Sequence, residues 1–158
     1  MDLARFQADI AIRPAVALSD EFVGIAATDL AFAAYGLSSR PETDHWLALR
    51  GALARSTAAS WLETCAPDTR LETGADSFLV LRDMVLAGLG AAVLPCVVGD
   101  GDPRLSRRAG GDVVARTKVW VVSHADLADA PRLRAMRERL AAALREDAAR
   151  LGGRAVAA

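Results

Sequence analysis

Ser77 is the residue whose type and position most directly indicate chemistry. It lies at the start of residues 76–95, DSFLVLRDMVLAGLGAAVLP, which predict an amphipathic helix closed by Gly88 and Gly90 and then a short apolar strand ending at a proline. With residues 70–73 as a preceding strand, the segment forms a βαβ unit. In such a unit the helix begins at the crevice above the strand ends, where its free N–H groups suit a small anion. The Ser77 hydroxyl could bind a carboxylate there or simply cap the helix.

Four further residues are candidate ligand contacts. Ser56 and Thr57 open another predicted helix that runs to about residue 65, so the same reasoning applies to them. Arg13 ends a predicted strand and could supply a counter-charge, or could pair with a local acid at the rim. Tyr35 ends an extended run, where its phenol could cover a ligand or serve in packing.

The sequence shows no catalytic machinery. It contains no GxSxG elbow, no Walker-type loop and no HExxH motif. The histidines, His45 and His124, have no Cys, Asp or Glu at metal-ligand spacing. Gly88 and Gly90 end a helix before a strand, the reverse of a dinucleotide fingerprint. We therefore predict no catalytic residue, no metal and no cofactor.

Composition narrows the class of protein further. The 158 residues carry a net charge of −1, with charged residues of both signs interspersed, which does not predict nucleic-acid binding. No apolar run reaches the roughly 20 residues that span a bilayer, and the first residues do not form a secretory signal. The two cysteines, Cys65 and Cys96, are interpreted as small hydrophobic residues rather than a disulfide framework. These features favour a globular protein of the cytoplasm.

The remaining pattern predicts an alternation of strands and helices. Strands are predicted over residues 8–13, 22–26, 30–35, 45–49 and 118–123, with a turn at residues 27–29. A helix from about Asp129 has an apolar stripe at Leu133, Met136, Leu140 and Leu144. Residues 1–7 are predicted to be the end of a helix, and residues 152–158 a frayed tail.

Eight segments in this order resemble the effector-binding domain of LysR-type transcriptional regulators. They are ADIAIR (8–13), LAFAAYG (30–36), the strand at Trp46, ASWL (59–62), residues 76–100, DPRL (102–105), VWVVSHADL (119–127) and PRLRAMRERL (131–140).

The resemblance implies an α/β fold like that of type II periplasmic-binding proteins, with two Rossmann-like lobes joined by two crossover strands. Lobe I would comprise residues 1–36 and 118–158, and lobe II residues 37–117. The crossover strands would be residues 30–35 and 118–123. A small organic effector would bind in this module, and the helix starts lead us to expect that it bears a carboxylate. A homodimer is left open.

The resemblance also implies a departure from the family. Family members carry a winged helix-turn-helix that precedes this domain, and their lobe I opens with a strand and a helix before ADIAIR. We expect both to be missing here, leaving lobe I incomplete and the chain unable to contact DNA by itself. The leading interpretation is an effector-sensing module of a LysR-type regulator. The alternatives are a non-functional remnant, a misplaced start of a full regulator or, least favoured, a small enzyme on this scaffold.

Overall fold

The computed structural model describes residues 8–40, 45–65 and 73–154. The strands are β1 (Ala11–Ala15), β2 (Phe22–Leu37), β3 (Ala48–Leu49), β4 (Gly74–Ala75), β5 (Ala92–Pro95), β6 (Leu105–Arg107) and β7 (Val113–His124). The helices are α1 (Thr57–Cys65), α2 (Phe78–Leu86), α3 (Cys96–Gly99), α4 (Pro131–Glu146) and α5 (Ala148–Leu151), with 3-10 turns at Gly51–Arg55, Ala109–Gly111 and Ala125–Leu127.

The chain divides into two compact units. The first comprises Met1–Leu30 and Thr117–Ala149, and the second comprises Ala31–Arg116 and Arg150–Ala158. Strands β2 and β7 each run on from one unit into the other. The lobe boundaries expected from the resemblance, at 36/37 and 117/118, stay a prediction.

The first unit is a small sheet with a helix. Strand β1 pairs antiparallel with β7, from Ala11 opposite Val122 to Ala15 opposite Lys118, and β7 lies between β1 and β2. The core cluster consists of Ala27, Val121 and Ala141, with Ile10, Ile25, Leu140 and Leu144 packed against it. Strand β1 begins three residues later than predicted and takes in Pro14. The expectation for residues 1–7 lies outside the described residues.

The predicted turn at residues 27–29 is wrong, because β2 continues through it. Ala27 is buried in the core, and the Asp29 carboxylate lies 3.6 Å from the Lys118 ammonium on β7. Long-range pairing therefore keeps this stretch extended although its residue types are those of a turn.

The prediction of the apolar stripe of α4 is also partly wrong. Leu133 is buried as predicted, but Met136 is 47% exposed and Arg137 takes the inward position at 7% exposure. The Arg137 guanidinium is satisfied there by the Ser123 hydroxyl and by the carbonyl of Ala128, 3.1 Å away. Buried arginine is tolerated when its donors find acceptors in this way.

The second unit is built around the far part of β2. Strand β5 pairs antiparallel on one side of it, from Phe32 opposite Pro95 to Tyr35 opposite Ala92. Strand β6 also pairs antiparallel with β2, with Tyr35 opposite Arg107. Residues just before β3 and β5 bridge in parallel, and β3 in turn pairs in parallel with β4.

The segment at residues 76–95 folds as predicted. Helix α2 follows Ser77, ends before Gly88, and leads into β5, which ends at Pro95. Gly88 has φ +78° and Gly90 has φ +152°, conformations that L side chains rarely adopt and that allow the sharp reversal between helix and strand. The expected strand at residues 70–73 lies mostly outside the described residues, and β4 directly follows it.

Gly152 and Gly153 do not belong to a frayed tail, which was predicted for residues 152–158. The carbonyls of Gly152 and Gly153 accept hydrogen bonds from Arg116 (3.1 Å) and Arg107 (2.8 Å). Residues 155–158 lie outside the described residues. Within the described part of the chain, no helix is long and apolar enough to cross a bilayer.

Candidate functional site

Two short parallel strands in the second unit set the position of the candidate site. Ala48 lies opposite Gly74 and Leu49 opposite Ala75, with Ala48 N–H bonded to the Thr73 carbonyl at 2.8 Å. A side chain at Gly74 would place its Cβ only 2.2 Å from the Ala48 carbonyl oxygen, so the close approach of β3 and β4 requires glycine there. Because the strands are parallel, their carboxyl ends meet at one edge, and each is followed by a helix.

Ser77 lies at the start of α2, which follows β4. Its backbone is extended (φ −136°, ψ 129°) and its carbonyl accepts the first helical bond from Leu81 N–H at 2.9 Å. The hydroxyl makes no capping hydrogen bond, although serine at this position usually does. The side chain is half-buried, so its hydroxyl is left available at this edge.

Ser56 and Thr57 lie at the start of α1, beyond the 3-10 turn that follows β3. The Ser56 hydroxyl accepts from Ala59 N–H at 3.2 Å and donates to the Leu53 carbonyl at 2.6 Å, so it is committed to the fold. The Thr57 hydroxyl oxygen is buried and has no hydrogen-bond partner among the described residues. An unsatisfied buried hydroxyl costs about 1–3 kcal/mol, a cost that a bound ligand could remove.

Arg13 and Tyr35 occupy other surroundings. Arg13 lies on β1 in the first unit, with its guanidinium carbon 5.7 Å from the centre of the Phe22 ring. Tyr35 is 1% exposed on β2 in the second unit, and its hydroxyl donates to the Asp100 carboxylate at 2.7 Å. The structure therefore places Ser56 and Thr57 together at the start of α1, which follows β3. It places Ser77 at the start of α2, which follows β4, the strand paired with β3. A ligand role for any of the five residues stays a prediction.

A polar cluster around Asp100 was missed by the sequence analysis, in which neither Asp100 nor Arg107 is a candidate residue. Arg107 donates to both carboxylate oxygens, at 2.9 Å and 2.6 Å, and also to the carbonyls of Gly111 and Gly153. Burial alone would raise the pKa of Asp100, but the hydrogen bonds from Arg107 and Tyr35 and the Arg107 charge outweigh it and lower that pKa. The cluster is a fixed ion pair rather than an acid–base pair.

The pKa of Tyr35 is raised, first by burial and then by the hydrogen bond of the phenol to Asp100 in the same cluster.

This raised pKa can be tested by titration. Since Tyr35 is the only tyrosine in the sequence, a change in absorbance at 295 nm with pH reports on its ionisation alone. We expect the folded chain to show no ionisation near pH 10, where the phenol titrates in the urea-unfolded chain. A phenol whose pKa is raised on folding contributes stability below about pH 10 that is lost as the pH rises further. In Asp100→Asn the phenol should titrate at lower pH than in the parent, and a folded parent that titrates near pH 10 would refute the assignment.

The described residues contain no group of three or more His, Cys, Asp or Glu side chains that could hold a metal ion. Cys96 is buried, and burial raises the pKa of its thiol, whereas Cys65 is exposed, contrary to the expectation of two buried thiols. The arrangement at β3 and β4 thus offers backbone N–H groups and hydroxyls, which can bind a small anion but not activate a nucleophile.

Fold and site together define an α/β small-molecule-binding domain. The sequence profile of the LysR substrate binding domain matches residues 3–145, and the chain belongs to that family. This membership confirms the predicted fold class and the prediction of an effector-binding module rather than an enzyme. Among curated proteins, no match was found.

Solved structures of regulators share the fold. A mutant of OxyR from Corynebacterium glutamicum aligns with a TM-score of 0.67 at 19% identity, over 98% of this chain and 54% of that one. The effector domain of AmpR from Pseudomonas aeruginosa gives 0.69 at 16% identity, over 92% and 78%. The regulatory domain of CrgA, a LysR-type transcriptional regulator from Neisseria meningitidis, gives 0.69 at 19% identity, over 89% and 78%. The chain thus spans about half the length of the first of these structures.

Proposed function

We propose that this chain senses a small organic effector bearing a carboxylate, and that it does so as part of the regulation of transcription. The observation that carries the proposal is the edge where β3 and β4 end and α1 and α2 begin, with two hydroxyls there that the fold leaves unused. The carboxylate would accept hydrogen bonds from the hydroxyls of Ser77 and Thr57 and from N–H groups of the first turns.

The other three proposed contacts, Ser56, Tyr35 and Arg13, have no unused hydroxyl at this edge. Ser56 would contribute through its backbone, because its hydroxyl is already engaged by Leu53 and Ala59. Tyr35 would act through packing, because its hydroxyl is held by Asp100. Arg13 remains a proposed counter-charge. We further propose a cytoplasmic location, a homodimer as the assembled form, and no direct contact of residues 1–158 with DNA.

A thermal-shift screen with aromatic and short-chain carboxylic acids tests the proposal. An acid present at 100 times its dissociation constant should stabilise the folded chain by about 2.7 kcal/mol. Ser77→Ala should weaken binding of that acid more than it lowers the melting temperature. Ser60→Ala is the matched control, since Ser60 is exposed on α1 and its hydroxyl reaches only the Ser56 carbonyl, at 3.5 Å. No shift with any acid, together with a broad melt, would favour a remnant without function.

Thr57→Val separates a binding role from a structural one. Valine has nearly the shape of threonine but lacks the buried hydroxyl, so the free chain should become more stable by about 1 kcal/mol. The same change should weaken binding of the acid found in the screen, because one donor to its carboxylate is gone. Urea unfolding and calorimetric titration measure the two effects. A gain in stability with unchanged affinity would remove Thr57 from the site.

A further inference from the structure

A cavity lies within the second unit, apart from the starts of α1 and α2. Its volume is about 630 Å³, within the range of pockets that hold small organic ligands. None of Ser56, Thr57 and Ser77 lines it. Its wall is formed by α3 and the loop that follows it, by β6, and by α5 and the chain just beyond it: Cys96, Val97, Asp100, Gly101, Asp102, Pro103, Leu105, Arg107, Arg150, Gly153 and Arg154.

Both acids in the wall are already neutralised. The Asp100 carboxylate is bridged by Arg107, with the closest pair of atoms 2.6 Å apart. The Asp102 carboxylate is bridged by Arg104 at 2.7 Å and also accepts from the Arg104 backbone N–H at 3.0 Å. Neither acid is therefore free to neutralise a further cation in the wall.

Two arginines in the wall are left without such a partner. Arg150 and Arg154 are exposed, and neither guanidinium group has an ion pair or hydrogen bond with another residue of the described chain. With Asp100 and Asp102 committed, the uncommitted charge of the cavity is positive. Guanidinium groups bind carboxylates through charged, often paired hydrogen bonds.

The segment that carries these two arginines is held in place. The Gly153 and Gly152 carbonyls accept from Arg107 and Arg116, and a Cβ at Gly153 would lie 2.8 Å from the Cys96 sulfur. The segment between Arg150 and Arg154 is thus fixed against the wall before any ligand arrives, which lowers the ordering cost of binding.

We propose that this cavity is a ligand site for a small organic anion with an apolar body. Its carboxylate would bind Arg150 and Arg154, and its body would lie on the apolar side chains of Val97, Pro103 and Leu105. The site uses guanidinium groups and an apolar wall, so it is independent of the hydroxyl site proposed at α1 and α2.

Calorimetric titration of benzoate and isovalerate tests the cavity. The Ser77→Ala/Thr57→Val background silences the first proposed site, so that binding to the cavity is measured alone. In that background, Arg150→Gln with Arg154→Gln should lower the affinity for benzoate about tenfold or more. The matched control is Arg132→Gln with Arg139→Gln, which removes the same charge from exposed positions of α4 outside the cavity and should leave the affinity nearly unchanged. Benzyl alcohol, which lacks the charge, should bind about tenfold more weakly than benzoate.

Failure of both acids to bind in the Ser77→Ala/Thr57→Val background would overturn the cavity proposal and leave the first site untouched. Equal affinities in the two double-arginine variants would also overturn it. Conversely, if the parent and Ser77→Ala bound the acids with equal affinity, the proposal for the first site would be wrong and the cavity proposal would be unaffected.

Discussion

Replacing Leu81 with alanine should destabilise the second unit by about 3 kcal/mol. Leu81 is fully buried on α2, the helix that packs on β5 and begins at Ser77. Truncation of a buried leucine loses its transfer free energy and leaves a cavity that the surrounding residues only partly fill, at a cost of about 2–5 kcal/mol. Urea unfolding followed by tryptophan fluorescence measures the change: Trp46 and Trp61, which contact each other, report on this unit, and Trp120 reports on the first unit.

Leu79→Ala is the control for this prediction. Leu79 lies on the same helix and is 55% exposed, so its truncation should change stability by no more than about 0.5 kcal/mol. Similar losses of stability in Leu81→Ala and Leu79→Ala would mean that α2 does not turn the Leu81 face toward the core. The Ser77 site depends on this face, because the burial of Leu81 fixes where the start of α2 lies.

The parts of the fold that were predicted from the sequence are those with strong local signals. Helix α2 and strand β5 have an apolar periodicity, glycines at the reversal and a proline at the end, all within residues 76–95. Helix α1 was found for the same reason, with Ser56 as its cap. Local chemistry decides these elements, so a single sequence is sufficient to place them.

The failures occur where distant pairing outweighs local preference. Ala27 and Asp29 look like turn residues, yet the core and Lys118 on β7 keep them in a strand. Arg137 looks like a solvent-facing residue, yet its guanidinium has acceptors on Ser123 and Ala128. Neither partner lies close enough in sequence for periodicity to reveal it.

In the candidate site, too, the residues with local signals could be predicted and those that depend on distant pairing could not. Ser56, Thr57 and Ser77 could be selected because helix starts are local features, but whether each hydroxyl is used by the fold required the structure. The cluster of Tyr35, Asp100 and Arg107 could not be predicted, since it depends on β6 returning antiparallel beside β2 with Arg107 opposite Tyr35.

Removing the Arg107 guanidinium should have the second largest effect, a loss of about 2–3 kcal/mol in Arg107→Leu. The side chain donates to the Asp100 carboxylate and to the carbonyls of Gly111 and Gly153, and its loss leaves the partly exposed carboxylate with Tyr35 as its remaining hydrogen-bond donor in the cluster. Breaking a fully buried pair costs about 3–5 kcal/mol, and the smaller figure reflects the 39% exposure of the Asp100 side chain. Arg107→Lys should recover part of the loss, because an ammonium keeps the charge but not the fork of donors.

The effect of Arg107→Leu should depend on pH in a defined direction. The lowered pKa of Asp100 means that its ion pair stabilises the fold above the unfolded pKa of about 3.9 and that this contribution is lost as the pH falls. The parent and the variant should therefore differ less in stability below about pH 4 than near neutral pH, while the part of the difference that comes from the Gly111 and Gly153 carbonyls should remain. Arg82→Leu is the control, since the Arg82–Asp83 pair on α2 has side chains that are 34% and 62% exposed, so the urea midpoint should change little at neutral pH. A parent and an Arg107→Leu variant that differ equally at pH 3 and pH 7 would show that Arg107 acts without its ion pair, through packing and its hydrogen bonds to carbonyls, because only the charged form of Asp100 makes the difference depend on pH.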